Sequence, residues 1–142
     1  MMEKINELTE ILGKIKSLYD VWEKEKAHNP NMAIYVYMIY VLGSCTQAKL
    51  ASRYGIPKQT LHSVISRLES DGYVFRSIER KNRRDKQICL TRKGLSYAEK
   101  TAGTLLKSEQ KILEQIGVQK VNMPIDTLNE YALLLEQEIQ NH

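Results

Sequence analysis

At 142 residues the chain has the length of one domain with a real core, and its formal net charge of +4, from 21 Lys and Arg against 17 Asp and Glu, is too mild by itself to imply a polyanionic partner. Its two cysteines, Cys45 and Cys89, stand far apart with no CxxC or Cys/His spacing near either, which argues against a disulfide framework and a zinc site and for a reducing compartment. No apolar run approaches the ~18 residues of a membrane span, and the opening MMEKINELTE has acids where a signal peptide is basic and then apolar, so a cytoplasmic protein without membrane contact is expected.

From Glu3 to about Ala27 the spacing predicts a helix, because Ile5, Leu8, Leu12, Ile15, Tyr19 and Trp22 recur at steps of three and four and form one narrow seam. HNPN at His28 to Asn31 ends it, since Pro30 disfavours helical geometry in the residue before it. A second helix follows from about Met32 to Leu42; MAIYVYMIYVL is apolar nearly all round, so it is expected to be buried on most sides. Thr46 then caps a short helix that runs through Tyr54, Gly55 supplies a left-handed residue after it, and Pro57 suits the first turn of the next helix. Two helices joined by a short glycine-containing turn make a helix-turn-helix. In its second helix Leu61, Val64, Ile65 and Leu68 form the inward stripe, while Lys58, Gln59, His62, Ser63, Ser66 and Arg67 face outward. Such a face suits base edges or phosphates, and a solvated helix would show the same residue types.

Asp71-Gly72 stops that helix, and YVFRSI and KQICLT alternate as two strands with Val74, Ile88 and Leu90 inward. The connection between them concentrates charge. Between Arg76 and Lys93 eight basic residues stand against Glu79 and Asp85, a surplus of six that exceeds that of the whole chain. Thr91 then caps a third long helix beginning near Arg92, carried by Leu95, Ala98, Ala102, Leu105, Ile112, Leu113 and Ile116 and ending at Gly117. A last helix is expected from about Pro124 to Gln140, with Leu128, Tyr131, Ala132, Leu135 and Ile139 at helical spacing. The fold expected is mainly α with a small β-hairpin wing.

A helix-turn-helix followed at once by a hairpin with a basic tip is a winged helix, and with long amphipathic helices on both flanks the chain resembles the MarR family of transcriptional regulators. The resemblance rests on KLASRYGIPKQTLHSVISRLESDGYV and IERKNRRDKQICLTRKG. The family's wing is similar to D-x-R-D-x-R and leads to L-T-x-K-G; here Glu79, Lys81, Asn82 and Arg84 occupy the four specified positions, followed by Leu90-Thr91-Arg92-Lys93-Gly94. Glu, Lys and Asn thus replace Asp, Arg and Asp, and His62 stands where many relatives have threonine, so no operator sequence carries over.

The resemblance implies a single domain over residues 1–142, a homodimer interlocked through helices at about 1–30 and 95–142, and a DNA-binding lobe at about 32–94. The expected ligand is double-stranded DNA bearing a pseudo-palindromic operator. Gln59, His62, Ser63 and Arg67 would read bases, with Ser66 on the same face; Lys58, Thr60 and Gln47 would lie nearer phosphates. In the wing, Arg83 and Arg84 would enter the minor groove, flanked by Arg80, Lys81 and Lys86. Many relatives bind small aromatic compounds, and Tyr19, Trp22, Tyr37 and Tyr40, with Tyr35 nearby, are the candidate effector pocket, although aromatics at helical spacing more often build plain core. Cys45 and Cys89 are expected to be structural, and the scattered His28, His62 and His142 give no zinc sensor. With no nucleophile elbow, phosphate loop or metal-ligand cluster, neither catalysis nor a cofactor or metal is expected. A repressor released by a small molecule is the leading reading. Its rivals are a winged helix that docks an acidic protein, and a DNA-binding activator or architectural protein without a ligand.

Overall fold

The structure is a computed structural model that describes residues 1–26, 30–77 and 86–141, with backbone alone at 26, 30 and 31. Two compact units are formed, Met1–Thr104 and Leu105–His142. The elements run α1 (Met2–Lys26), α2 (Pro30–Leu42), β1 (Cys45–Thr46), α3 (Gln47–Tyr54), α4 (Lys58–Ser70), β2 (Val74–Ser77), β3 (Gln87–Leu90), α5 (Arg92–Lys100), α6 (Ala102–Ile116) and α7 (Val118–Gln140). This is the mainly helical, winged architecture that the pattern implied.

The core of the first unit gathers Val36 and Ile39 from α2, Leu50 from α3, Leu61, Ile65 and Leu68 from α4, Val74 and Ile88 from the sheet, and Ala98 and Ala102. Each large aliphatic side chain so enclosed contributes roughly 1.5–3 kcal/mol relative to exposure, and that is what holds α4 to the hairpin. Val64 and Leu90 pack against this core at partial burial. The sheet has the order β1-β3-β2 and is antiparallel throughout, with Cys45 opposite Ile88 and Arg76 also opposite Ile88 on the other side.

Several expectations change. Pro30 opens α2 two residues before the expected start; at the first helical position it loses no hydrogen bond and brings a preset φ. α2 is buried along Met32, Ala33, Val36 and Ile39, yet Val41 is exposed. Pro57 stands one residue ahead of α4, where its carbonyl accepts the first helical bond from the Leu61 amide at 3.0 Å. The two-residue strand β1 has no alternation to announce it and exists only because β3 pairs with it.

The expected single helix after Thr91 is two. Thr101 is buried, and both its hydroxyl, at 2.8 Å, and its amide, at 3.0 Å, reach the Tyr97 carbonyl. With φ −105° and ψ −75° it departs from helical geometry, and α6 restarts from its carbonyl through the Thr104 amide at 3.2 Å. Leu95, expected inward, is 43% exposed, because the face of α5 that packs is Gly94 and Ala98. α7 begins at Val118 rather than Pro124, with Gly117 at φ 89° turning the chain into it. Pro124 lies inside the helix and removes one amide from its hydrogen-bond ladder.

Candidate nucleic-acid interface

The helix-turn-helix is set by local chemistry. Thr46 Oγ1 accepts the Lys49 amide at 3.1 Å to start α3, and Gly55, at φ 62°, ends it with its N–H on the Ala51 carbonyl. In α4 the buried positions Leu61, Ile65 and Leu68 fix the roll of the helix. Lys58, Gln59, His62, Ser63 and Arg67 are consequently exposed, as their spacing implied; Thr60 is exposed as well, and Ser66 is half-buried. Ser63 spends its hydroxyl proton on the Gln59 carbonyl at 3.2 Å and keeps lone pairs outward. Arg67 Nε lies 3.9 Å from Asp71 Oδ2; both groups are solvated, so this pair restrains Arg67 little.

The hairpin is anchored by the Leu90-Thr91-Arg92-Lys93-Gly94 run. Thr91 Oγ1 donates to the Gly72 carbonyl at 2.6 Å and accepts the Gly94 amide at 3.0 Å, while the Thr91 amide donates to the Tyr73 carbonyl at 3.0 Å. Lys93 Nζ donates to the Asp71 carbonyl at 2.7 Å and sits 4.5 Å from the centroid of the Tyr73 ring. A Cβ at Gly94 would strike the Tyr73 carbonyl oxygen, which is why glycine stands there. This one stretch therefore ties the end of α4, both strands and the start of α5 together.

Gln47, His62 and Lys86 of the expected set converge on one cleft of about 290 Å³, which Thr46, Ala48, Arg76 and Ile88 also line. Gln47 is half-buried at the first position of α3, and Lys86 is exposed where the chain enters β3. Arg80, Lys81, Arg83 and Arg84 lie outside the described residues. Arg76 belongs with the site although it was not among the expected readers. The signal for it was parity: two residues after the inward Val74 on an alternating strand, a charged side chain points toward the body of the protein. Its Nη1 lies 3.6 Å from Glu69 Oε2, linking β2 to the last turn of α4.

A second cleft, about 320 Å³, lies among Tyr19, Ile34, Tyr37, Met38, Val41 and Tyr54. Trp22 stands edge-on to Tyr37 with ring centroids 6.3 Å apart, whereas Tyr40 packs against the core and does not line the cleft. Trp22 Nε1 and Glu23 Oε1 are enclosed with no hydrogen-bond partner among the described residues, and burial raises the Glu23 pKa. Cys45 is buried in the core, where desolvation pushes its thiol pKa up and away from reactive thiolate; Cys89 is half-buried, its Sγ 3.9 Å from Ser77 Oγ.

Residues 29–86 match the family model described as MarR family. Over that stretch the chain is similar to the MarR family. The matched stretch holds the helix-turn-helix and the wing up to Lys86. Solved MarR structures extend the likeness over the remaining helices. A MarR family regulator from Neisseria meningitidis superposes with a TM-score of 0.81 at 22% identity, covering 97% of each chain. A MarR regulator from Oenococcus oeni gives 0.72 at 15% identity over 90% of this chain and 98% of that one. One from Methanosarcina mazei gives 0.64 at 21% identity over 94% and 99%. At these identities the structural likeness is one of fold. No curated protein matches the chain by sequence.

Proposed function

We propose that this MarR-family protein is a homodimeric repressor that binds a pseudo-palindromic operator in double-stranded DNA and is released by a small aromatic molecule. The observation that carries the reading is the outward side of α4: a continuous hydrogen-bonding surface without a large apolar residue, beside a cleft where Gln47, His62, Arg76 and Lys86 meet. A helix of about 10–12 Å diameter fits a major groove about 12 Å wide. Gln59, His62, Ser63, Ser66 and Arg67 then reach base edges, while Lys58, Thr60 and Gln47 meet phosphates. Arg83 and Arg84, with Arg80 and Lys81, supply the minor-groove contact.

The dimer is supported by apolar surface that one copy leaves uncovered. Along α1 Ile5, Ile11, Ile15 and Leu18 are exposed, and along α7 Leu128, Leu134, Leu135 and Ile139, the last at 67%. Apolar faces of this length call for a partner, and a second copy closes them with two-fold symmetry. The helices at about 1–30 and 95–142 serve that role, leaving about 32–94 for DNA. The effector occupies the cleft at Tyr19 and Tyr37, next to Trp22, with Tyr40 on the same helix as Tyr37. A ligand that favours a dimer with wrongly spaced recognition helices by ~1.4 kcal/mol lowers operator affinity tenfold.

Fluorescence anisotropy with a labelled random duplex at low salt tests the reading. Salt-sensitive binding is expected, with Arg84→Ala weakening it while the mass in solution stays that of two 16.4 kDa chains. Absence of binding, as from a wing that docks protein, would overturn it.

A further inference from the structure

We propose that the cleft between the start of α3, the outward side of α4 and the hairpin seats one backbone phosphate of the bound duplex, with Arg76 as its main ligand and Glu69 as the residue that positions the guanidinium. This rests on the DNA-binding reading and assigns a residue and a chemical group within it.

Arg76 is an unbalanced side chain. Arg76 is drawn inward by strand parity, and its side chain is only 24% exposed. A guanidinium carries five donors, and withdrawing them from water is costly unless each finds an acceptor. Glu69 lies 3.6 Å from Nη1, close enough to balance charge and too far for a good hydrogen bond, and its own side chain is 40% exposed. Nη2 is enclosed and has no partner among the described residues. The guanidinium thus lines the cleft beside Glu69 with donor capacity unspent, and Nη2 meets an anion there once the side chain turns outward from its enclosed position.

The surroundings select the missing acceptor. Lys86 and His62 line the same cleft, and among the described residues none that lines it is acidic. The first turn of α3 opens on it as well: Thr46 takes only the Lys49 amide, so the amides of Gln47 and Ala48, which precede the first bond the helix can make for itself, add positive potential. An anion with several acceptor oxygens fits this set. His62 lies on the face of α4 proposed to read bases, so an anion here sits beside that face, where the sugar-phosphate backbone at the groove edge runs. A single phosphate at this point would touch α3, α4 and the hairpin at once, fixing the recognition helix and the wing in register on one duplex.

The test uses the full-length chain and a 30-base-pair duplex selected from a random pool by the protein itself. Each phosphate is neutralised in turn as a methylphosphonate. One position per half-site is expected where the wild type loses on the order of tenfold in affinity and Arg76→Gln, already weakened, loses nothing further. Arg76→Gln should also lower the slope of log K against log salt by about one for each seat engaged. Lys86→Gln, at an exposed position that leaves the fold intact, should give a smaller loss centred on the same phosphate. Glu69→Gln should weaken binding at that phosphate without changing dependence on the others. Equal losses in wild type and Arg76→Gln at every phosphate would overturn the seat while leaving DNA binding standing. Failure of the wild type to bind any duplex would overturn the underlying reading instead. Inorganic phosphate at millimolar concentration is expected to compete weakly; saturable binding of free phosphate that Arg76→Gln abolishes, with no duplex phosphate affected, would make the cleft a free-anion site and overturn the assignment to the backbone.

Discussion

Thr91→Val isolates the hydroxyl that joins the wing to α5, because valine keeps the side-chain shape and removes every hydrogen bond the hydroxyl makes, the longer one to the Tyr73 carbonyl at 3.3 Å included. In the wild type Oγ1 donates to the Gly72 carbonyl at 2.6 Å and accepts the Gly94 amide at 3.0 Å. Losing a helix N-cap costs about 1 kcal/mol. Leaving the Gly72 carbonyl unpaired adds roughly 1 kcal/mol more, the low end of the usual range because the site is half-buried. A total of about 2 kcal/mol corresponds to a fall in melting temperature of roughly 8 °C in a chain of this length. Thermal unfolding followed by circular dichroism at fixed protein concentration measures it, and Thr91→Ser, which restores the hydroxyl, should recover most of the loss. A fall below about 2 °C, or a serine variant as unstable as the valine one, would refute the claim that this hydroxyl fastens the hairpin. The same variant should weaken duplex binding beyond its effect on stability, since the strand that carries Arg76 and the strand that Lys86 leads into are aligned by that joint.

Gly94→Ala should destabilise by roughly 1–3 kcal/mol, because the new methyl meets the Tyr73 carbonyl, which as backbone has little room to move; a melting temperature within a degree of wild type would contradict the packing. Lys58→Ala should weaken binding evenly across duplex sequences and reduce the salt slope by about one, as titrations at several ionic strengths would show; a sequence-dependent loss would make it a base reader. Leu128→Glu with Leu135→Glu should shift the proposed dimer to monomer in sedimentation equilibrium, since both lie exposed on α7; an unchanged dimer mass would place the contact elsewhere. Trp22 is the sole tryptophan, so its emission should change when a small aromatic such as naphthalene enters the neighbouring cleft, and Tyr37→Ala should reduce that change; emission indifferent to such molecules at their solubility limit would count against an effector there.

Much of the molecule is legible from local chemistry. The helix α1, the inward stripe of α4, the cap at Thr46, the turn at Gly55 and the cap at Thr91 each follow from the preferences of a few neighbouring residues, and all occur where the sequence places them. The same is true of the outward face of α4, because once Leu61, Ile65 and Leu68 are buried the opposite positions have only one place to go. The break at Thr101 and the early start of α7 were not legible. Helical periodicity runs on through both, and what decides them is the buried hydroxyl on the Tyr97 carbonyl and the positive φ of Gly117.

By itself, the sequence determined a winged helix with flanking amphipathic helices and a concentration of positive charge at the hairpin, since periodicity, capping and charge are properties of neighbours along the chain. Only the tertiary structure decided that β1 exists, that Arg76 is enclosed opposite Glu69, and that residues from 46 to 88 meet around one cleft. Those features depend on pairing and burial between segments far apart in the chain, for which no local preference carries the information.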